Sequence, residues 1–319
     1  MKKFYLIILS ITFSLVTFGQ KKNPNEDLIL FEKTVAMQEL LSDDLHYIFE
    51  IKDSINRTNE DKIKTDFAIE IKENILEKVI ENYTELIQKY PKSKFQFRAL
   101  NNKGIAELDY KDFDKAKKTF LEVLNSNAND KEKGGAGTGI MGEPYANYKN
   151  RACRILTDIE LKNKNYNEAI RFLDLTKKYP FQHFCGNAHA AEQINIAEMY
   201  AKCYLGLNQY EKAYDILLPH IIDNGLASNT HLVNTTINAL LKNYKKDKLK
   251  KEFENSFKTI SIEKEIKYKN EYTYFYINFL NRKIELNSWE LHELLTVQEK
   301  EKVLKGILEK SEFYIMLNK

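Results

Sequence analysis

Glycine and proline are scarce in this chain, 11 and 5 among 319 residues. Both interrupt helices, glycine through backbone entropy and proline through its missing N–H. Their scarcity suits an almost wholly helical chain. Excess charge of one sign is missing as well: 49 Lys and Arg stand against 46 Asp and Glu, and 47 against 46 once Lys2 and Lys3 are set aside. So balanced a chain has no global field to draw in nucleic acid. Charged residues make up 30% of the chain and are well mixed, as solvated outer helix faces require. Cysteine is limited to Cys153, Cys185 and Cys203. Two readings stay open: one disulfide with a leftover thiol, or three free thiols buried among apolar helix neighbours.

Long apolar runs are absent except at the start. Phe4 to Phe18 are nearly all apolar behind Lys2-Lys3, and Thr17 and Gly19 supply small residues at a cleavage point. This is the pattern of a secretory signal peptide over residues 1–19. The run is short for a membrane span, which needs about 20 residues. No lipid-acceptor cysteine follows it. The expectation is a periplasmic or secreted mature chain from Gln20 or Lys21, with no membrane span.

What is there is helical periodicity. Leu28, Phe31, Val35, Met37, Leu40, Leu41, Leu45, Ile48 and Phe49 recur at helical spacing, as do Ile63, Phe67, Ile71, Ile75, Val79, Tyr83, Leu86 and Ile87. The second stretch should stop at Tyr90-Pro91, because the residue before proline disfavours the helical region. Residues 20–92 thus read as an N-terminal helical segment.

A short phrase then recurs: Asp112-Phe113-Asp114-Lys115-Ala116, Asn165-Tyr166-Asn167-Glu168-Ala169 and Gln209-Tyr210-Glu211-Lys212-Ala213. Each follows one amphipathic stretch and opens another. The aromatic is expected to plug the turn of a helical hairpin, and the alanine to let two helices approach. Gly104 lies mid-helix, where it costs about 1 kcal/mol relative to alanine unless a partner helix crosses close by. The motif aromatics are 53 and 44 residues apart, against about 34 for a bare helix-pair unit. The excesses correspond to inserted loops at 128–147 and 181–192. Five of the eleven glycines fall between Gly134 and Gly142.

The three units resemble the tetratricopeptide repeat. The third fits best, with Ala201, Tyr204, Leu207, Tyr210 and Ala213 at the motif's positions. The first keeps Leu100, Gly104, Phe113, Ala116 and Phe120 but has Glu107 where an aromatic is usual. The second keeps Leu156, Tyr166 and Ala169 but has Thr157 and Glu160 at the small and aromatic positions. Tyr90-Pro91 and Tyr179-Pro180 look like the repeat's terminating proline. The resemblance covers about 125 residues. It implies an all-α, right-handed α-solenoid of stacked antiparallel helix pairs with irregular helical ends. Repeats would occupy 93–225, and a C-terminal helical cap 226–319. That family binds peptides or protein surfaces along a concave groove and is rarely catalytic.

On this reading the chain is a non-catalytic scaffold for a protein or peptide partner in the cell envelope, with no cofactor and no nucleic acid. Candidate contacts are polar residues on the first helix of each pair: Asn101, Asn102 and Lys103, then Arg151 and Arg154, then Asn195, Glu198 and Lys202. Met141, Tyr145 and Tyr148 add a contact surface around the glycine loop. The alternative is a metal-, small-ligand- or glycan-binding helical protein that uses the 183–192 insertion. There Cys185 and His189 are four apart and His189 and Glu192 three apart, on similar faces if helical. With His183 they are the weak metal candidates, although the spacing fits no zinc signature.

Three other patterns are set aside. Gly137-Thr138-Gly139-Ile140-Met141-Gly142 formally matches a dinucleotide loop, but that motif needs a strand before it inside a βαβ unit. The Lys242–Lys251 run is diluted by Asp247 and suits a solvated helix face. The aromatics Tyr268, Tyr272, Tyr274, Phe275, Tyr276 and Phe279 fit a helical core stripe better than a sugar platform.

Overall fold

The computed structural model describes residues 25–41, 58–133, 144–223, 225–267, 269–286, 289–292 and 296–319. The signal-peptide reading, Met141 and the glycine pattern 137–142 lie outside these residues. The described chain is mostly helical, with twelve α-helices and neighbouring helices packed in pairs. No helix among the described residues is long and apolar enough to cross a membrane. The chain divides into two compact units, 1–123 and 124–319.

In the first unit, α1 (Glu26–Glu39) packs on α2 (Asn59–Lys89), and α2 on α3 (Gln96–Asp109). α2 opens with a reciprocal capping box. The Thr58 hydroxyl accepts from the Asp61 N–H at 3.1 Å, and the Asp61 carboxylate accepts from the Thr58 N–H at 2.9 Å, which satisfies two orphan donors at the helix start. It ends before Tyr90-Pro91, as the proline requires. Phe31, Leu76, Val79, Tyr83, Leu86, Phe95 and Ala99 form the core, with the Phe31 and Phe95 rings stacked at 4.6 Å. α4 (Phe113–Asn125) lies close over α3: a Cβ at Gly104 would sit 2.7 Å from the Phe120 ring. This is the close crossing that makes a mid-helix glycine tolerable.

The second unit contains α5 (Tyr148–Lys162) paired with α6 (Tyr166–Lys178), and α7 (Gly186–Gly206) paired with α8 (Tyr210–Leu217). α6 also packs against α7. α9 (Thr230–Leu240) and α10 (Lys246–Ser256) follow, and α11 (Val297–Lys310) and α12 (Glu312–Asn318) close the chain.

The three recurring phrases have one backbone geometry. α3, α5 and α7 each end in a left-handed residue, Lys111 (φ 65°), Lys164 (φ 59°) and Asn208 (φ 57°). In each turn the next N–H reaches back to the carbonyl five residues earlier: Asp112 to Glu107, Asn165 to Glu160 and Gln209 to Tyr204, at 2.8–2.9 Å. The left-handed residue itself bonds to Leu108, Leu161 or Leu205. This is the Schellman termination, made without glycine. Ala116, Ala169 and Ala213 are all fully buried, and each donates to the carbonyl four residues back to start the second helix. The aromatics vary more. Tyr166 and Tyr210 are half-buried, whereas Phe113 is more exposed.

The C-terminal cap is not wholly helical. Three strands form an antiparallel sheet, β1 (Ser261–Lys267), β2 (Asn270–Phe279) and β3 (Arg282–Glu285), in the order β1-β2-β3. The helical reading of this stretch is overturned. Phe275, Ile277 and Phe279 alternate into the core, a period of two. Aromatics on both strand faces imitate spacings of three and four when read as one stripe. Leu280 and Asn281, both with positive φ, make the two-residue turn that matches strand twist. Behind the sheet, Phe253 meets Phe279 and Phe313 edge-on at 5.1 and 4.9 Å, geometries that aromatic quadrupoles favour.

Candidate functional site

The candidate site lies in the second unit, where the chain leaves α6 at Tyr179-Pro180 and enters α7. Two asparagines fix this passage to α5. The Asn147 amide donates to the Gln182 carbonyl at 2.9 Å and accepts from the Gln182 N–H at 2.7 Å. The Asn150 amide donates to the Tyr179 carbonyl at 2.9 Å. Asp130 holds the start of α5 by accepting from the Lys149 and Asn150 N–H groups, as a helix N-terminus favours. The insertion is shorter than its sequence range, because α7 already begins at Gly186.

Asn150 Oδ1 accepts from Arg154 Nε at 3.1 Å. The guanidinium then pairs with Glu192 Oε2 at 3.0 Å and lies 5.7 Å from the centroid of the Phe181 ring. Glu192 is only 9% exposed, and its Oε1 is buried without a hydrogen-bond partner. Burial raises the Glu192 pKa and Arg154 pulls it back. Such a carboxylate oxygen costs free energy until a donor reaches it.

Glu192 lines a groove of about 440 Å³ between α6, α7 and the end of α8, a size typical of ligand sites. Apolar walls come from Phe181, Ile196, Ile216 and Pro219. Polar groups converge from Tyr200, whose hydroxyl donates to Asp174 at 2.8 Å, and from His220. Burial lowers the His220 pKa, so the ring is neutral at pH 7. Asp215, at the rim, accepts from Arg282 Nε at 2.9 Å.

Several sequence-chosen contacts are internal. Asn101 and Tyr148 are buried. Lys103 reaches Glu107 at 2.5 Å and Thr119 at 2.9 Å, so it serves the α3–α4 contact and not an outer face. Asn102 donates to Tyr83 Oη at 3.2 Å. Asn102 and Lys103 thus reach polar partners on neighbouring helices, Tyr83 and Thr119, which a hydrophobic-stripe argument cannot see. Arg151 and Tyr145 are half-buried; Asn195 and Lys202 are exposed, and Lys202 pairs with Glu198 at 3.1 Å. Of the contacts chosen for partner binding, Arg154 pairs with a residue that lines the groove, Glu192.

The metal candidates do not form a ligand set. The His183 and His189 rings stack at 4.4 Å, and His189 Nε2 lies 2.9 Å from the Gln193 amide nitrogen. Glu192 faces Arg154, and Phe184, next to His183 in sequence, is exposed. Among the described residues no group of three or more His, Cys, Asp or Glu is placed to hold a metal. All three cysteines are free, Cys153 and Cys203 buried and Cys185 half-buried. Sequence reasoning missed Asn147, Asn150, Tyr200 and His220; the Tyr179-Pro180 stop, which marks where the chain must be fixed to α5, was the signal for the first two. No protein-family model matches the chain, and a search of curated proteins finds no matching sequence.

Proposed function

We propose that the protein is a non-catalytic, exported scaffold, a right-handed solenoid of helix pairs like the tetratricopeptide repeat, that holds a peptide segment of an envelope partner. The observation that carries this reading is the groove along α7, with apolar walls, converging polar groups and one unsatisfied carboxylate. The three identical helix-pair turns support the repeat part of the reading. The metal alternative loses its support once Glu192 is turned to Arg154.

Affinity capture from a cell-envelope extract tests it, with the full chain and an Ile196→Glu variant as parallel baits. The expected result is a partner held by the first and lost from the second. A partner retained equally by both would remove the groove from the binding surface.

A further inference from the structure

We infer that the groove recognises a primary ammonium group on an apolar stem, seated at Glu192. The inference rests on the scaffold reading and narrows it to a chemistry. A lysine side chain in a peptide carries that group, and so does a free alkylamine.

Glu192 is nine-tenths buried, and its two oxygens differ. Oε2 is held by Arg154, while Oε1 has no partner. Glu192 lines the groove, and the terminal carboxylate torsion is soft. Oε1 is itself out of contact with solvent, so a ligand in the groove reaches it through rotation about that torsion. A cationic donor makes a shorter and stronger bond to it than a neutral one.

The choice between the two basic side chains follows from the same asymmetry. A guanidinium grips a carboxylate with two parallel bonds and needs both oxygens, whereas an ammonium is a point charge that needs one. With Arg154 already on Oε2, only the single-oxygen acceptor remains.

The walls fit the stem. Phe181, Ile196 and Ile216 offer apolar surface along which methylenes can lie. Among the described residues that line the groove, no lysine or arginine is left unpaired to oppose the ligand. His220 is held neutral by burial. Lys177, from α6, is engaged by Asp174 at 2.7 Å. Arg282, from β3, is engaged by Asp215 and Glu211.

The test uses the full chain and four probes: a capped pentapeptide with a central lysine between leucine and phenylalanine, its norleucine and arginine counterparts, and n-pentylamine. Binding is read by chemical-shift titration. The lysine peptide should bind about tenfold more tightly than either counterpart. Glu192→Gln, which keeps the shape, should erase that difference. Ile216→Trp, which fills the groove without touching Glu192, should abolish binding while circular dichroism stays native. Equal binding of the lysine and norleucine peptides would overturn the ammonium inference and leave the peptide groove standing. Arginine equal to lysine would overturn the single-oxygen argument. Pentylamine binding with no peptide binding would keep the ammonium site and sink the peptide scaffold. No binding by any probe would overturn the inference, leaving the capture experiment to decide the scaffold.

Discussion

The ring of Tyr166 occupies the space that a side chain at Gly206 would need. The motif aromatic of one helix pair thus rests on a bare backbone position at the end of the next. Gly206→Ala forces the ring or the helix to move and should cost about 1–3 kcal/mol. Gly306, inside α11, has nothing within 4 Å of its virtual Cβ. Gly306→Ala should therefore stabilise by about 0.5–1 kcal/mol through helix propensity alone. Urea melts of the two variants should move in opposite directions.

The three Schellman turns place two lysines in the left-handed region, where a Cβ is strained. Lys164→Gly should raise stability, by about 0.5–1 kcal/mol. Asn208→Gly should gain less, because asparagine tolerates this conformation. Thermal unfolding of both decides it; a loss on Lys164→Gly would mean that the lysine side chain has a packing role that outweighs the strain.

Glu107 is fully buried and bonded to Lys103 at 2.5 Å and to the Thr119 hydroxyl at 2.6 Å. Lys103→Met leaves that carboxylate without its cation and should destabilise by about 3–5 kcal/mol. Changing both residues, Lys103→Met with Glu107→Leu, should recover most of the loss, since an apolar pair of similar volume does without the desolvation penalty. A double-mutant cycle in denaturant measures this.

Burial pushes the Cys153 thiol up to about 12 and the Cys203 thiol up to about 11. Neither supplies thiolate at neutral pH, and thiolate is the reactive species. One thiol per native chain, Cys185, should react with a disulfide reagent at pH 8, and three after unfolding in denaturant. Fewer than three in the unfolded, unreduced protein would reveal a disulfide.

The Glu192 pKa is raised in the folded chain, chiefly by burial, so the native state holds its proton to higher pH than the unfolded state. Stability contributed by this group is therefore lost as pH rises above the ordinary glutamate value of about 4.3. Arg154→Met removes the opposing attraction. Its deficit should be small near pH 4 and grow to about 3 kcal/mol at pH 7. Denaturant midpoints at the two pH values test the sign. A deficit independent of pH would show that Arg154 acts through packing instead.

Much of the helical architecture is legible locally. The Tyr90-Pro91 and Tyr179-Pro180 stops, the buried motif alanines and the Gly104 crossing follow from rules that span a few residues. The sheet at 261–285 was hidden because aromatics on both faces of β2 blur a period of two. The inward setting of some polar residues was hidden for another reason. Asn101 and Lys103 fall off the apolar stripe, so periodicity sends them outward, yet Asn101 is buried and Lys103 reaches Thr119 on α4.

The sequence by itself determined the helix pairs, their turns and the small residues where helices cross, because each depends on backbone propensity and neighbours within a few positions. Only the tertiary structure decided which polar groups were paired and which were left wanting. Arg154 and Glu192 are 38 positions apart, and no local rule says that one oxygen of that carboxylate is held and the other left bare. Desolvation and hydrogen-bond satisfaction depend on what the whole fold brings within 3 Å, and the candidate site arises from that.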